Sequence, residues 1–357
     1  MSKVRSASHA TTTAKPLLSM LDGFRRTMVL ATAVRLGLFD VLAQRGPMSA
    51  KELGAALVLR KRPALMLVTA CVSLGLLIPE EDGERFGNSP ISSRYLVSSE
   101  PFWLGGFVRL IEEQQYPAWG ELFTALRENR PTVWSVRERS AKFATAGVDE
   151  IELFWKAMRS LSRPVADTVA RSFDFAPHRG LLDVGGGPGE LAVRLCRLHP
   201  ALRATVFDLP PVCALTAGTL KQAGLDDRIA VHPGDLIADE TLPGGYDVIT
   251  LSNVLHMFDR DTNERILRKC HAALDGGGTL IIVEAFVEDD GTGPADAALM
   301  CLNMLVDTVG GGNHTRAEYE SMLAGAGFTF TERLPLDQPV PSAASGLLVA
   351  RKAEDRS

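Results

Sequence analysis

A chain of 357 residues with 46% apolar side chains is long enough for two domains with sizeable cores. Its formal net charge of −5 and pI near 5.9 argue against a surface built for nucleic acid or an anionic membrane. The five cysteines are widely spaced and form no CxxC pair, so they read as reduced thiols of a cytoplasmic protein.

Residues 1–16 are polar, lack an apolar signal core and read as a disordered arm. From Leu17 to Leu42, apolar residues recur at helical spacing: Leu18, Leu21, Phe24, Met28, Ala31, Val34, Leu38. Ser49 with Glu52 three residues on is a capping box that opens a short helix. A third helix is predicted from Arg62 to Leu77, ended by Gly75. Asp82-Gly83 within Glu80–Asn88 then signals a hairpin. Three helices and a hairpin make a winged-helix pattern. The helix that would enter a DNA groove is apolar (Ala64, Leu65, Leu67, Val68, Ala70, Val72), with basic residues only at its start, so protein contact is expected there. The apolar run from Ala64 to Ile78 falls short of the roughly 20 residues that span a bilayer.

Phe102 to Leu126 reads as an amphipathic helix with Phe107, Leu110, Ile111, Trp119 and Leu122 on its apolar face. Arg127–Ser140 reads as a loop. Asp149–Phe173 is a long predicted helix containing Pro164, with Phe154, Met158, Leu161 and Val165 on one face.

The next stretch runs Leu181-Leu182-Asp183-Val184, then Gly185-Gly186-Gly187-Pro188-Gly189, then a helix to Leu198. This is a first strand feeding a helix across a ligand-binding turn. A dinucleotide fingerprint would place its third glycine at position 190, which is Glu190. Carboxylates at Asp183 and Glu190 would repel a pyrophosphate and attract a cation. S-adenosylmethionine carries an ammonium and a sulfonium and no phosphate, so it suits a turn built on Asp183, Gly185 and Gly187. A second strand, Ala201–Phe207, ends at Asp208, which can accept both ribose hydroxyls. A third, Arg228–His232, leads to Asp235, an acceptor for the adenine amino group, and Leu236, an apolar wall. The fourth, Tyr246–Leu251, runs into Ser252 and Asn253 as cofactor contacts and His256 as the candidate base. After a helix over Asp261–Leu274, a fifth strand, Thr279–Val283, ends at Glu284. Ala295–Val309 is a helix bearing Met300, Asn303, Met304 and Asp307 at i, i+3, i+4 and i+7. A polar stripe of that kind is expected of a substrate-pocket wall. A helix over Tyr319–Ala326 and an antiparallel pair, Phe328–Leu334 with Ser345–Arg351, complete the domain.

The glycine turn, together with Phe207-Asp208-Leu209-Pro210 and Gly234-Asp235, resembles the S-adenosylmethionine-dependent O-methyltransferases of plant phenylpropanoid and bacterial polyketide tailoring pathways. The resemblance runs from about Leu17 to Arg351. It implies an α/β protein: a Rossmann-like class I methyltransferase domain with a seven-stranded mixed sheet. An all-helical winged-helix dimerisation domain precedes it, its signature matched at residues 33–42. The implied divisions are 17–100 for dimerisation, 101–172 for linking helices and 173–353 for cofactor binding. The resemblance also places Leu209 at the cofactor, Ser162 near the cofactor's amino-acid end, and Phe154 and Met158 against the acceptor. It implies a homodimer in which the partner's Leu17–Phe24 region helps close the pocket. The family motif Leu-His-Asp-Trp reads Leu255-His256-Met257-Phe258 here, so the histidine base stands while the following acid and tryptophan are replaced. Glu284 matches the acid that orients the histidine. Where a second acid falls in a Gly-Gly-x-Glu-Arg-Thr context, this chain has Gly311-Gly312-Asn313-His314-Thr315, with Asn313 in place of Glu.

Methyl transfer from a sulfonium is an in-line displacement in which the protein mainly supplies alignment. A phenol, with a pKa of roughly 10, benefits from a base that titrates near neutrality. The expectation is therefore a cytoplasmic O-methyltransferase acting on a small aromatic secondary metabolite. His256 is the base, oriented by Glu284 and Asn313, with no metal, nucleic-acid or membrane partner. Because Asn313 is not a carboxylate, a more acidic hydroxyl on a naphthoate, phenazine or quinone, or an enolisable carbon, is an alternative acceptor. The rival readings are a metal held by His256 and His314 with Glu284 or Asp307, a cofactor-binding homologue without transferase activity, and a winged-helix regulator.

Overall fold

The computed structural model describes residues 13–132, 148–340 and 344–354. It divides into two compact units, Met1–Val108 and Arg109–Ser357. Most of the expected arm and of the 127–140 loop lies outside the described residues.

The first unit opens with α1 (Lys15–Leu21), α2 (Gly23–Arg35) and α3 (Leu38–Arg45). The one helix expected over 17–42 is broken because Gly37 takes φ 68°, a left-handed conformation that suits glycine. Strand β1 (Met48–Ser49) leads into α4 (Ala50–Ala56), and both hydrogen bonds of the expected capping box are present between Ser49 and Glu52. Helix α5 (Lys61–Ser73) ends two residues before Gly75, so Leu77 belongs to the following hairpin and not to the helix. That hairpin, β2 (Leu77–Pro79) and β3 (Arg85–Asn88), joins β1 in an antiparallel sheet of order β1-β3-β2, and α6 (Pro90–Tyr95) follows. Leu38, Phe39, Leu42, Leu53, Val68, Cys71 and Leu77 form this unit's core. Leu65 and Met66 on α5, and Leu17, Leu18, Met20 and Leu21 on or beside α1, remain exposed. The winged-helix pattern thus presents apolar surface where a DNA reader needs polar side chains.

Helix α7 (Gly105–Leu110) crosses the division between the units. It is followed by a π-helical turn, Ile111–Gln115, then α8 (Tyr116–Gly120) and α9 (Leu122–Glu128). These replace the single helix expected over 102–126. Pro117 sits at the start of α8, where its missing N–H cannot continue a regular ladder. Helix α10 (Val148–Ser172) runs through Pro164.

The second unit then alternates: β4 (Gly180–Val184), α11 (Glu190–Leu198), β5 (Arg203–Asp208), α12 (Pro210–Ala223), β6 (Ile229–Pro233), β7 (Tyr246–Ser252), α13 (Arg260–Ala273), β8 (Leu274–Glu284), α14 (Ala295–Asp307), α15 (Arg316–Gly325), β9 (Phe330–Val340) and β10 (Ala344–Arg351). Helix α12 was not singled out by the sequence patterning. The sheet has order β6-β5-β4-β7-β8-β10-β9, parallel except at β10, which runs antiparallel to both β8 and β9. Side chains alternate across it. Leu181, Val248, Ile281 and Val283 enter the core shared with α10 and α11, whereas Leu182, Ile249, Leu280 and Ile282 enter the core shared with α13 and α15. Burial on both faces explains the nearly unbroken apolar runs of these strands. The chain moves one way along the sheet from β4 to β5 and β6, and the other way from β7, so the C-terminal ends of β4 and β7 mark the switch point where ligands bind. All five cysteines are free, four of them buried. Among the described residues no single helix is long and apolar enough to cross a membrane.

Candidate active site

The glycine turn sits at the tip of β4. Gly185 has φ 67° and Gly187 φ 50°. A Cβ at Gly185 would lie 2.7 Å from Val254 Cγ2, and one at Gly186 would lie 2.6 Å from Asp183 Oδ2. At Gly187 a Cβ would meet nothing within 4 Å. The turn is therefore packed tightly beneath and open on its Gly187 side. Asp208, at the end of β5, accepts from Gly187 N–H at 2.8 Å through Oδ2 and from Leu209 N–H at 2.7 Å through Oδ1. Each oxygen keeps a second lone pair for a ligand hydroxyl, so Asp208 fits the ribose role. Thr216 Oγ1 donates to Gly187 O at 2.7 Å and steadies the turn from α12.

The two carboxylates expected to attract a cation are otherwise engaged. Asp183 is 1% exposed and lies beneath the turn, where Oδ1 accepts from Thr250 Oγ1 at 2.7 Å and Oδ2 has no hydrogen-bond partner. Burial pushes its carboxyl up to about 7, opposed by the Thr250 hydrogen bond and aided by nearby Asp208. Glu190 is buried against Arg159 at 2.9 Å and Arg163 at 3.1 Å, so two guanidinium groups already balance its charge. The picture of two uncompensated acids beside the turn is corrected accordingly: Asp183 supports the turn from below, and Glu190 joins α11 to α10. The same pairs bring Ser162 to the turn's neighbourhood, since Ser162 adjoins Arg163 and lies one helical turn from Arg159. Met158 is half-buried, and the Phe154 side chain lies outside the described residues.

Asp235 Oδ1 accepts from Ile237 N–H at 2.8 Å and Ala238 N–H at 3.1 Å, capping the turn that follows β6, with Leu236 half-buried beside it. Beyond Ser252 the chain leaves β7 sharply: Asn253 takes φ 56°, and its N–H donates to Val283 O at 2.9 Å. A short 3-10 turn, Leu255–Met257, then carries His256, which is 6% exposed. Glu284, fully buried at the end of β8, holds this turn. Its Oε1 accepts the N–H groups of Val254, Leu255 and His256 at 3.1, 3.0 and 3.3 Å, and its Oε2 lies 2.7 Å from His256 Nδ1. Asn263 on α13 donates from Nδ2 to Leu255 O at 2.9 Å and Phe258 O at 3.3 Å. The contact between Val254 and Gly185 joins the base-bearing turn to the glycine turn.

Asn313 has a different partner from the one expected. Its Nδ2 donates to Ala285 O at 2.5 Å and its backbone N–H to Cys301 Sγ at 3.3 Å, and neither bond reaches His256. The amide fixes the loop after α14 to the end of β8 and leaves the orientation of His256 to Glu284. His314 packs edge-on against Tyr319, with Nδ1 3.6 Å from Glu318 Oε2. Burial lowers its pKa, against the pull of Glu318. Among the described residues no group of three or more His, Cys, Asp or Glu side chains could hold a metal ion.

The polar stripe on α14 is part of an internal network. Trp119 Nε1 donates to Asn303 Oδ1 at 2.8 Å, and Asn303 Nδ2 donates to Asp307 Oδ2 at 2.9 Å. Gln115 Nε2 donates to both Asp307 oxygens at 3.2 and 3.1 Å. These bonds tie α14 to the π-helical turn and α8. Met304 is buried and Met300 half-buried. Sequence reasoning missed Gln115, Arg159 and Arg163, whose partners lie far away in sequence, and Asn263, whose amide meets backbone carbonyls five and eight residues before it, a contact that side-chain patterning does not show. A separate groove of about 410 Å³, lined by Arg179, Arg203, Tyr246 and Asp247 among others, lies at the opposite ends of the strands, away from the switch point.

A seven-stranded sheet of this order, with a glycine turn and an acid at adjacent strand tips, is the architecture of class I S-adenosylmethionine-dependent methyltransferases. The chain belongs to the O-methyltransferase family: the model of its O-methyltransferase domain matches residues 119–329, and that of its dimerisation domain matches residues 18–98. It is similar to 3-hydroxy-5-methyl-1-naphthoate 3-O-methyltransferase of Streptomyces sahachiroi, with 39% identity covering 94% of this chain and 95% of that one. It is also similar to the tetracenomycin polyketide synthesis 8-O-methyl transferase of Streptomyces glaucescens, with 32% identity covering 88% and 91%. Among solved structures it resembles human N-acetylserotonin methyltransferase in complex with S-adenosylmethionine, at TM-score 0.84 and 28% identity, covering 97% of this chain and 100% of that one. The chain is an S-adenosylmethionine-dependent methyltransferase.

Proposed function

We propose that this enzyme methylates a hydroxyl of an aromatic polyketide- or naphthoate-type acceptor, with His256 as general base. The observation that carries this reading is the buried pair between His256 Nδ1 and Glu284 Oε2 at 2.7 Å. A carboxylate only accepts, so Nδ1 carries the proton and Nε2 offers a lone pair to the acceptor hydroxyl. When bound, S-adenosylmethionine supplies an activated methyl on a sulfonium. Asp208 holds its ribose, the Gly187 side of the turn lies against its amino-acid portion, and Asp235 and Leu236 flank the adenine. Ser252, Asn253 and Ser162 line the same region. His256 takes the hydroxyl proton as the acceptor oxygen attacks the methyl carbon and the carbon–sulfur pair stays with sulfur. Residues of α10 and α14, Met158 and Met300 foremost, bound the acceptor, and the Gln115–Asp307–Asn303–Trp119 network keeps that wall rigid. Similarity to the naphthoate and tetracenomycin enzymes supports a fused aromatic acceptor. The matched dimerisation domain and the exposed apolar residues around α1 support a homodimer. Incubation with isotopically labelled cofactor and a panel of hydroxynaphthoates, phenazine phenols and enolisable keto acids tests the assignment. Label is expected on a hydroxynaphthoate oxygen, and label found only on carbon would reject O-methylation.

A further inference from the structure

The turn that carries His256 is held on three sides. Glu284 takes its N–H groups, and Asn263 binds the carbonyls of Leu255 and Phe258. The carbonyl of His256 itself accepts from Gly312 N–H at 2.8 Å. Gly312 belongs to the segment that leaves α14, and Thr308 fixes the start of that segment. Thr308 is 4% exposed, its hydroxyl donates to Met304 O at 2.7 Å, and the same oxygen accepts from Gly311 N–H at 2.9 Å. Gly311 leaves no room for a side chain: a Cβ there would lie 2.4 Å from His256 O and 2.5 Å from Thr308 Oγ1. A continuous run of contacts therefore joins the last turn of α14 to the backbone of His256.

We propose that Thr308 is a positioning residue for the base, acting through Gly311 and Gly312 to set the place of the His256 turn relative to α14. This rests on the reading of His256 as general base. The acceptor-bounding helix and the base then move as one body, so that an acceptor seated on α14 meets Nε2 in register. Two short bonds and one side-chain-free position suffice for this, because an error near 1 Å at a reacting centre can cost about a hundredfold in rate.

The test compares Thr308→Val, Thr308→Ser and Gly311→Ala in the full-length protein. Its readouts are kcat and KM with 3-hydroxy-5-methyl-1-naphthoate, cofactor affinity by calorimetry, and the Cε1 resonance of His256 in labelled protein without acceptor. Thr308→Val removes the hydroxyl at nearly constant volume, so kcat is expected to fall about tenfold, as for the loss of one buried hydrogen bond. Cofactor affinity is expected to hold while the His256 resonance moves, and Thr308→Ser should restore both. Gly311→Ala is expected to lower kcat further, and it supplies the same readouts where the Val variant fails to give folded protein. An unmoved His256 resonance, a Ser variant as impaired as Val, or cofactor affinity falling alongside kcat would overturn the proposal. Should His256→Ala retain turnover while the resonance moves as expected, the base assignment fails and the coupling stands.

Discussion

One carboxylate, Glu284, serves His256 twice. Its Oε2 lies 2.7 Å from the imidazole Nδ1, while its Oε1 gathers the backbone N–H of His256 and of the two residues before it. The tautomer of the proposed base is thus set, and one side of its turn held, by a single buried group at the tip of β8.

Glu284→Gln separates these tasks. The amide oxygen can still gather the three N–H groups, but the amide nitrogen then faces Nδ1 and donates to it. The ring must carry its proton on Nε2, where it cannot accept one from the substrate. Turnover is expected to fall about 10²- to 10⁴-fold, the contribution of a general base, with cofactor affinity nearly unchanged. Steady-state kinetics beside calorimetry read both, and a Gln variant of near-normal turnover would exclude the tautomer argument.

Asn313 offers the contrasting case. Because its amide bonds to Ala285 O, removing it leaves the His256–Glu284 pair in place. For Asn313→Ala we expect a stability loss of about 1 kcal/mol, one net hydrogen bond, and the wild-type pH dependence of turnover. A displaced pH profile would restore Asn313 as a direct partner of the base.

Glu190→Gln examines the charge beside the glycine turn. With Arg159 and Arg163 already balancing Glu190, its removal is expected to change cofactor affinity little and to lower stability by about 1–3 kcal/mol, from two weakened charge-assisted contacts. A large affinity loss with unchanged stability would show that the cofactor feels this carboxylate directly.

Asp183 gives stability a pH dependence of known sign. Its folded carboxyl is pushed up to about 7, chiefly by burial, whereas the unfolded chain titrates at roughly 3.9. Between these values the folded state binds more protons than the unfolded one, so this group lowers stability as pH rises through the window. Asp183→Asn keeps an oxygen for Thr250 Oγ1 and removes the titration. Urea unfolding from about pH 4 to about pH 8 should show the variant gaining on the wild type as pH rises. A constant difference would mean that Asp183 does not titrate in that window.

Much of this was legible in the sequence, and what was not shares a cause. The glycine turn, the strand-end acid Asp208 and the capping box at Ser49 are local patterns, and each has its local physical reason. Periodicity missed local backbone changes: Gly37 breaks a helix by its left-handed conformation, and a π-helical turn precedes α8, which opens at Pro117 with its missing N–H. The stripe Met300, Asn303, Met304, Asp307 was placed on one helix face correctly. However, Trp119 and Gln115, nearly two hundred residues earlier, supply the partners of Asn303 and Asp307. Periodicity assigns a face but cannot say which distant side chain will meet it. The same limit hid Arg159 and Arg163 behind an apparently free Glu190.

The most direct measurement is the pH dependence of turnover by His256→Ala with a hydroxynaphthoate acceptor and saturating cofactor. If His256 removes the acceptor proton, the variant should be at least about a hundredfold slower than wild type near neutrality. It should then recover about tenfold per pH unit as the acceptor hydroxyl ionises unaided, toward a phenolic pKa of roughly 10. Turnover equal to wild type near neutrality, or a deficit that stays constant up to that pH, would contradict the assignment of His256 as the base.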